Sequence, residues 1–401
     1  MGEGSLLWRM LSLRILVTTC LHKGIEVHTT NHTASLHLCE FHIVSCEHLT
    51  IAVYLRIFVQ ATKMLSHLFS ISTFTLLLLT KLATGLPHVE QHHIQTPIPD
   101  TLFPNPPLTY IPPIGLGLWQ SKGKDATKAI GSAFNAGYRH LDGAAAYGNE
   151  DYVGMALNET LLPRSAYWLT SKLWNTEHHP SDVEPALRKT LSQLGTDYLD
   201  LYLMHWPVSQ FPSNNSLDKR TSISATWHAM ESLIRKGLTR HIGISNFSPA
   251  QLQQIIDHCL AGGVCPVAHE FETHPYLQQT EFVVLHKKVG IQVIAYSPLA
   301  NLNPIYDSGL PSILEDVFWI KTAKSKNCTV AQAILGWGVQ RGTVVIPKSV
   351  HEERIVENWG ANEVHFTKEE MREIEKQDKK ARFNNPSKLW GVKLFEGLDG
   401  V

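Results

Sequence analysis

Short apolar runs typical of β-strands alternate with helix-like segments eight times from residue 108 onward. The apolar runs read IGLGLW, YRHLDGA, YWLTSKLW, YLDLYLMHW, HIGISNF, VAHEFET, VIAYSPL and VVIPKS. Several of the intervening segments begin with Ser, Thr or Asp and end on Gly, as capped helices do. Eight such units in about 250 residues predict an α/β protein, built as a (β/α)8 TIM barrel over residues 108–401.

An open, doubly wound sheet is the alternative fold for a chain in which strands and helices alternate. Such a sheet normally carries a glycine-rich phosphate loop of the form G-x-G-x-x-G after its first strand. The first strand here reads GLGLW and continues as QSKGKDATK, so the third glycine is missing. The barrel is therefore the better interpretation.

The first 107 residues differ in composition and are expected to form a non-barrel N-terminal extension. Residues 1–63 hold half of the 6 cysteines, without a C-x-x-C pair, and show no sustained strand or helix period. We interpret them as an extension without recognisable fold, or as sequence upstream of a true start at Met64. No metal site is predicted here or elsewhere in the chain.

Residues 64–85 resemble a secretory signal peptide, with an apolar run at 68–79 and small residues up to Gly85. That run is shorter than the roughly 20 apolar residues of a comfortable membrane-spanning helix. A working signal or an uncleaved anchor predicts a protein of the secretory pathway or one anchored to a membrane, and an unused leader predicts a cytoplasmic one. Residues 86–107 are proline-rich and are interpreted as a linker. Sequons that permit glycosylation occur at Asn31, Asn158, Asn214, Asn246 and Asn327.

The charge balance excludes several classes of protein. Lys and Arg number 35 and Asp and Glu number 36, so the formal net charge is −1. A chain this close to neutral is neither a strongly basic nucleic-acid binder nor an acidic disordered protein. We therefore expect a small molecule as the partner, no nucleic acid, a membrane only if residues 64–85 stay attached, and a monomeric protein.

Four residues at or after the predicted strand ends, where barrels carry their chemistry, form a coherent set. A tyrosine has a reference pKa of about 10 and is a poor acid, but a nearby ammonium lowers that pKa and a carboxylate holds the ammonium in place. Tyr147, Lys172 and Asp142 have these side-chain types, and His205 could donate a hydrogen bond to a substrate carbonyl. A glycoside hydrolase would instead need two carboxylates about 5–10 Å apart, for which only Asp142 and Glu270 are available.

Five motifs in order resemble the successive signatures of the aldo-keto reductases. They read GYRHLDGAAAYGNEDYVG, SKLW, LYLMHWP, RHIGISNF and IPKSVHEERIVEN, within a resemblance that runs from about residue 108 to 383. The resemblance implies an NAD(P)H-dependent oxidoreductase with Asp142, Tyr147, Lys172 and His205 as its catalytic tetrad. Tyr147 would protonate the carbonyl oxygen of an aldehyde or ketone, and nicotinamide C4 would donate a hydride to the carbon.

A cofactor site follows from the same resemblance. Lys348, Ser349 and Arg354 place two cations and a hydroxyl at the last strand–helix turn, as the 2′-phosphate of NADPH requires and NADH does not. The family pattern further implies that Ser245 and Asn246 bind the carboxamide, Tyr296 stacks on the nicotinamide, Ser297 and Leu299 lie beside the pyrophosphate, and Glu357 and Asn358 contact the adenine.

The sixth strand departs from the family pattern at one cofactor position. Aldo-keto reductases often have Asn-Gln before a V-E-x-H-P run, whereas PVAHEFETHPYL places His269 and Glu270 there. A glutamine amide both donates to and accepts from a carboxamide, whereas an ionised carboxylate can only accept. Glu270 could be ionised beside the cofactor, protonated beside it, or turned away towards a neighbouring cation, and the sequence leaves these alternatives open.

We expect aromatic residues and two loop segments to determine the substrate specificity. Trp119, Trp174 and Trp206, together with His205, are predicted to line a pocket for an apolar or planar carbonyl compound. The loop VSQFPSNNSLDKRTS and the tail ARFNNPSKLWGVKLFEGLDG are expected to cap it. A sugar, an aliphatic aldehyde and an aromatic ketone all remain compatible substrates. The alternative function is a non-catalytic nucleotide-binding subunit on the same barrel.

Overall fold

The computed structural model describes residues 110–302 and 309–400, together with the backbone of two short strands nearer the N-terminus. These strands, Ile25–Val27 and Ile43–Ser45, pair antiparallel. The chain divides into two compact units, Met1–Ile94 and Gln95–Val401. Apart from that strand pair, the predictions for residues 1–63, 64–85 and 86–107 fall outside the described residues. No helix among the described residues is both long enough and apolar enough to cross a membrane.

Eight parallel strands form one closed sheet in the second unit. Neighbours in sequence are neighbours in the sheet throughout. A parallel bridge between Ile114 and Val345 joins the last strand to the chain before the first, where the Gly115 N–H donates to the Val345 carbonyl at 2.9 Å. This closure confirms the predicted (β/α)8 barrel. The strands are β1 Leu116–Gly117, β2 His140–Asp142, β3 Trp168–Leu173, β4 Leu199–Met204, β5 Thr239–Ser245, β6 Ala268–Glu272, β7 Gln292–Tyr296 and β8 Val344–Val345.

Helices follow the strands and cover the barrel. Glycines in the left-handed region end the first and third long helices, Gly137 at φ 114° and Gly195 at φ 65°, as the sequence predicts. The main apolar core lies between helices and strands and includes Ile130, Leu187 and Trp227. The helices are α1 Gly123–Ala136, α2 Glu150–Glu159, α3 Pro180–Leu194, α4 Ile223–Arg235, α5 Pro249–Leu260, α6 Thr280–Lys288, α7 Val317–Ser325, α8 Val330–Gln340, α9 Glu352–Trp359, α10 Lys368–Glu375 and α11 Ser387–Trp390.

A separate, smaller apolar core fills the inside of the barrel. It includes Leu201, Leu203, Ala268 and Ile294, all of them buried. Gly243 of β5 is required by this packing, because a Cβ atom there would lie 2.6 Å from Leu203 Cδ2. The interior below the site is therefore a packed core, as in other barrels, and the chemistry is confined to one end.

A disulfide and a short polar cluster shape the turn between α5 and β6. Cys259 and Cys265 are bonded, with Cα atoms 4.8 Å apart. Glu231 Oε1 accepts hydrogen bonds from the Val264 N–H at 2.7 Å and from His258 at 2.6 Å. His228, Glu231 and His258 could offer metal ligands within 4.8 Å of one another, but their contacts already hold this turn to α4, and we assign them that structural role.

Candidate active site

A cavity of about 820 Å³ opens at the C-terminal end of the barrel strands. Asp142 ends β2, Glu270 lies in β6 and Tyr296 ends β7, and all three line this cavity. Loops after the strands complete its walls, which is the usual place for the active site of a barrel enzyme. Every residue that the sequence assigned to catalysis, cofactor or substrate lines this cavity, except Lys172 and Ser245, which contact lining residues from behind.

Lys172 is the centre of the polar site. Its ammonium is fully buried and lies 2.5 Å from Asp142 Oδ1, 2.9 Å from the Gly143 carbonyl, 3.4 Å from the Tyr147 hydroxyl and 3.4 Å from Glu270 Oε1. Burial alone would lower the pKa of Lys172, but the neighbouring groups, Asp142 first and then Glu270 and Tyr147, outweigh burial and raise that pKa. Lys172 is therefore a fixed positive charge, held below the phenol of Tyr147.

Tyr147 follows β2 on a short 3₁₀ turn, Ala145–Tyr147. The turn ends at Gly148, whose φ of 63° an L-residue side chain would disfavour. The ring keeps part of its surface open to the cavity although protein surrounds it, and this burial raises the pKa of Tyr147, opposed by the charge of Lys172. The phenol is consequently neutral and carries a proton at neutral pH, as a general acid must.

His205 comes directly after β4 and faces Tyr147 across the cavity mouth, with the two rings 5.9 Å apart. Burial, together with the charge of Lys172, holds the pKa of His205 well below its usual range, so the imidazole is neutral. Its Nδ1 has no hydrogen-bond partner among the described residues. A neutral imidazole that lines the cavity beside the phenol is suited to a hydrogen bond with a substrate.

Glu270 lines the cavity and also contacts the Lys172 ammonium. One carboxyl oxygen is 3.4 Å from Lys172 Nζ, and the other is buried without a partner among the described residues. Burial raises the pKa of Glu270 well above its usual range, and the charge of Asp142 raises it further against the opposing effect of Lys172. Glu270 therefore contacts a cation, as one of the alternatives expected, but it still faces the cavity rather than turning away from it.

Four tryptophans surround the outer part of the cavity, three of which the sequence predicted. Trp174 lies 5.2 Å from the His205 ring, and Trp206 stacks on the same ring at 6.3 Å, while Trp119 lines the cavity. Trp390, in the C-terminal tail, lies 5.0 Å from Trp206 and 6.1 Å from Trp174. The sequence pointed to the tail as a cap but not to this residue, although Trp390 is the one tryptophan of the tail sequence ARFNNPSKLWGVKLFEGLDG.

Asn246 organises the opposite wall. It adopts a left-handed backbone conformation at φ 64°, which asparagine tolerates better than most residues. Its side-chain amide donates to the Ser245 hydroxyl and to the His205 carbonyl, both at 3.0 Å, and accepts from the Tyr296 hydroxyl at 2.8 Å. Ser245 therefore acts from behind the wall, by orienting Asn246. Asn384 of the tail, which the sequence did not single out, lies 3.4 Å from the Tyr296 hydroxyl.

A cationic rim closes the far end of the cavity at the start of α9. Lys348 and Arg354 are exposed there, and neither forms an ion pair with another described residue. Partial burial lowers the pKa of Lys348, opposed by the charge of Asp125. Ser349 accepts a hydrogen bond from the His351 N–H at 3.1 Å. The wall between this rim and the barrel mouth includes Ser297, Leu299, Glu357 and Asn358.

Comparisons with known proteins agree on one family. The sequence profile of the aldo/keto reductase family matches residues 113–379. An oxidoreductase of Schizosaccharomyces pombe is 46% identical over 300 residues, which cover 72% of this chain and 92% of that protein. Aldo-keto reductase family 1 member A1 of Sus scrofa is 43% identical over 291 residues, covering 69% and 89%.

Among solved structures, this chain is similar to two aldose reductases. The aldose reductase of Schistosoma japonicum superimposes with a TM-score of 0.65 at 35% identity, over 72% of this chain and 95% of that one. The aldose reductase of Giardia lamblia gives a TM-score of 0.66 at 31% identity, over 72% and 99%.

Proposed function

Because the chain belongs to the aldo/keto reductase family, we propose that it reduces an aldehyde or ketone to an alcohol, reversibly, with NADPH as the hydride donor. One observation carries this proposal: Asp142 and Tyr147 at the end of β2, Lys172 of β3 and His205 after β4 come together at one end of a single cavity, with Lys172 behind its wall. Groups with perturbed pKa values cluster at functional sites, and here a buried ammonium lies directly behind a neutral phenol and a neutral imidazole that face one cavity.

The chemistry divides between the cofactor and these four residues. The nicotinamide cofactor, when bound, supplies the hydride. Tyr147 donates the proton to the carbonyl oxygen, and Lys172 stabilises the phenolate that remains, because its ammonium is 3.4 Å from the phenol oxygen. Asp142 keeps the ammonium in place at 2.5 Å. His205, being neutral, can hydrogen-bond the carbonyl oxygen without competing as an acid.

The residues along the cavity fit NADPH at both of its ends. Lys348 and Arg354 offer two cations that lack ionic partners among the described residues, next to the start of a helix, and this arrangement suits a 2′-phosphate. At the other end, Asn246 and the flat ring of Tyr296 lie next to the tetrad, where a carboxamide and a nicotinamide ring would be held. NADH lacks the phosphate group that the cationic rim would bind.

The aromatic wall supports a proposal for the class of substrate. Trp119, Trp174, Trp206 and Trp390 present large apolar surfaces around the mouth of the cavity, close to His205. Apolar burial favours a hydrophobic or planar group next to the carbonyl over a strongly hydrated one. We therefore propose that the physiological substrate is an aldehyde or ketone with an apolar or aromatic substituent.

A direct assay tests the proposal. The purified enzyme is mixed with NADPH and either an aromatic or a short aliphatic aldehyde, and the loss of NADPH absorbance is followed. We expect consumption with both aldehydes and a lower KM for the aromatic one. NADPH binding without consumption of any aldehyde or ketone would instead support the non-catalytic nucleotide-binding alternative, and Tyr147→Phe serves as the inactive reference.

A further inference from the structure

The floor of the cavity carries two carboxyl groups for a single lysine. Asp142 takes the closer position, 2.5 Å from Lys172 Nζ, while Glu270 lies 3.4 Å from the same atom. The ammonium also contacts the Gly143 carbonyl and the Tyr147 hydroxyl. Glu270 is only 2% exposed, and its second oxygen has no partner among the described residues. One buried positive charge therefore faces two acids, and Asp142 already neutralises it.

Among the residues that the structure describes, the other neighbours of Glu270 do not supply a second charge. Tyr147 and His205 are neutral at neutral pH, for the reasons given above. Asn246, after β5, and Tyr296, at the end of β7, face the same cavity and are polar but uncharged. An ionised Glu270 would leave one uncompensated negative charge in a buried site, which is costly, so the acid form is favoured until a new cation arrives.

The oxidised cofactor brings such a cation, whereas the reduced cofactor does not. Resting on the function proposed above, we propose that Glu270 is a proton store: a neutral carboxylic acid in the free and NADPH-bound enzyme, and a carboxylate when NADP⁺ is bound. Two unit charges about 6 Å apart at an effective dielectric of about 20 change an acidity by roughly 100-fold, or about two pKa units. A glutamine, which the family often has here, could not serve in this way because its amide has no proton to release.

The proton of Glu270 balances the reaction. Hydride adds to the carbonyl carbon, the C=O π electrons move to oxygen, and that oxygen takes the proton of Tyr147. The Tyr147 phenolate takes a proton from Lys172 Nζ, which in turn takes the proton of Glu270, since both oxygens lie 3.4 Å from the nitrogen. The site is left with a neutral Tyr147, a charged Lys172 and an ionised Glu270. One proton from solvent returns to Glu270 when NADP⁺ leaves.

Proton release on binding, measured without any substrate, tests this inference. NADP⁺ or NADPH is titrated into the enzyme in weak buffer across pH 5 to 9, with a pH indicator reporting protons released per cofactor bound. Both cofactors carry the same 2′-phosphate, so its contribution cancels in the difference between them. A two-unit shift predicts that NADP⁺ releases a maximum of about 0.8 proton more than NADPH, at a pH midway between the two pKa values.

Three variants identify the source of the proton. Glu270→Gln is expected to bind both cofactors but to lose the difference between them. Tyr147→Phe should keep the difference, because the proton does not come from the phenol. Glu150→Gln is the matched control, because Glu150 is also a buried carboxyl, held by Ser171 at 2.6 Å and Thr190 at 2.9 Å away from the cavity lining, and it should behave as wild type.

The outcomes separate this inference from the proposed function. Tight binding of both cofactors with equal proton release at every pH overturns the role of Glu270 and leaves the reductase intact. A difference that persists in Glu270→Gln but disappears in Tyr147→Phe overturns it too, and assigns the proton to the phenol. Failure of either cofactor to bind the wild-type protein overturns the proposed function itself, and the proton store with it.

Discussion

Replacing Lys172 by methionine keeps the length of the side chain and removes the positive charge beside the phenol. At an effective dielectric of about 20, unit charges 3.4 Å apart interact by about 5 kcal/mol, which is the stabilisation that a full phenolate on Tyr147 would lose. Each 1.36 kcal/mol is tenfold, so the expected loss in turnover lies between about 60-fold, for a half-developed phenolate, and about 4000-fold, for a complete one. Lys172→Met should therefore lower kcat far more than it changes the affinity for NADPH.

The assay must separate this effect from damage to the fold. Removing the ammonium leaves the buried Asp142 carboxylate without its cation, which costs on the order of 3–5 kcal/mol of stability, so circular dichroism and NADPH binding are measured on the same sample. Lys236→Met is the matched control: Lys236 also pairs with a carboxylate, Glu184, but on the outer helices. A folded Lys172→Met enzyme that binds NADPH and turns over within about fivefold of the control would refute the electrostatic role of Lys172.

Tyr147→Phe removes the proton donor and is expected to lower turnover by about 10²–10⁴-fold while NADPH still binds; near-normal rates would show that another group protonates the carbonyl. Arg354→Ala should weaken NADPH by about 10–150-fold and NADH much less, as measured by fluorescence titration, because only NADPH carries the 2′-phosphate. If the protein is glycosylated, mass spectrometry should find the glycan on the exposed Asn214 and never on Asn246 of active enzyme, because Asn246 is 1% exposed and fully engaged. Burial lowers the pKa of His286 to about 4, so its neutral form contributes stability that is fully present above the unfolded pKa of about 6.5 and is lost as the pH falls through 4. The loss is on the order of 3 kcal/mol, and a urea midpoint that does not fall between pH 7 and pH 4 would contradict it.

The barrel could be predicted because its strands are buried on both faces. In β4 every residue from Leu199 to Met204 is buried, so the strand appears in the sequence as a nearly unbroken apolar run. The helices between the strands are amphipathic and are marked by capping residues, as at Ser248 before α5. These are local properties, and they need no knowledge of the partner strand. The element types and their order therefore followed from the sequence.

The chemical types in the site were also evident, because barrel strands end where the chemistry lies. Asp142, Lys172 and His205 each lie at or directly after the C-terminal end of a strand, which together with the family resemblance predicted that they meet. Their protonation states were not evident, since these depend on burial and on distances between groups far apart in the chain. A buried tyrosine 3.4 Å from an ammonium and a histidine with its pKa depressed are properties of the assembled cavity.

The tail shows most clearly what sequence alone could not determine. Trp390 reaches Trp206 because Glu272, at the end of β6, accepts hydrogen bonds from the Phe383 and Asn384 N–H groups at 2.8 and 2.9 Å. No local pattern links a strand carboxylate to a loop more than a hundred residues later, since such a contact is set by how the closed barrel brings its elements together. The same holds for Glu270. The sequence showed that it departs from the glutamine of the family pattern, but only the folded cavity shows that it lies 3.4 Å from the Lys172 ammonium, which Asp142 already neutralises.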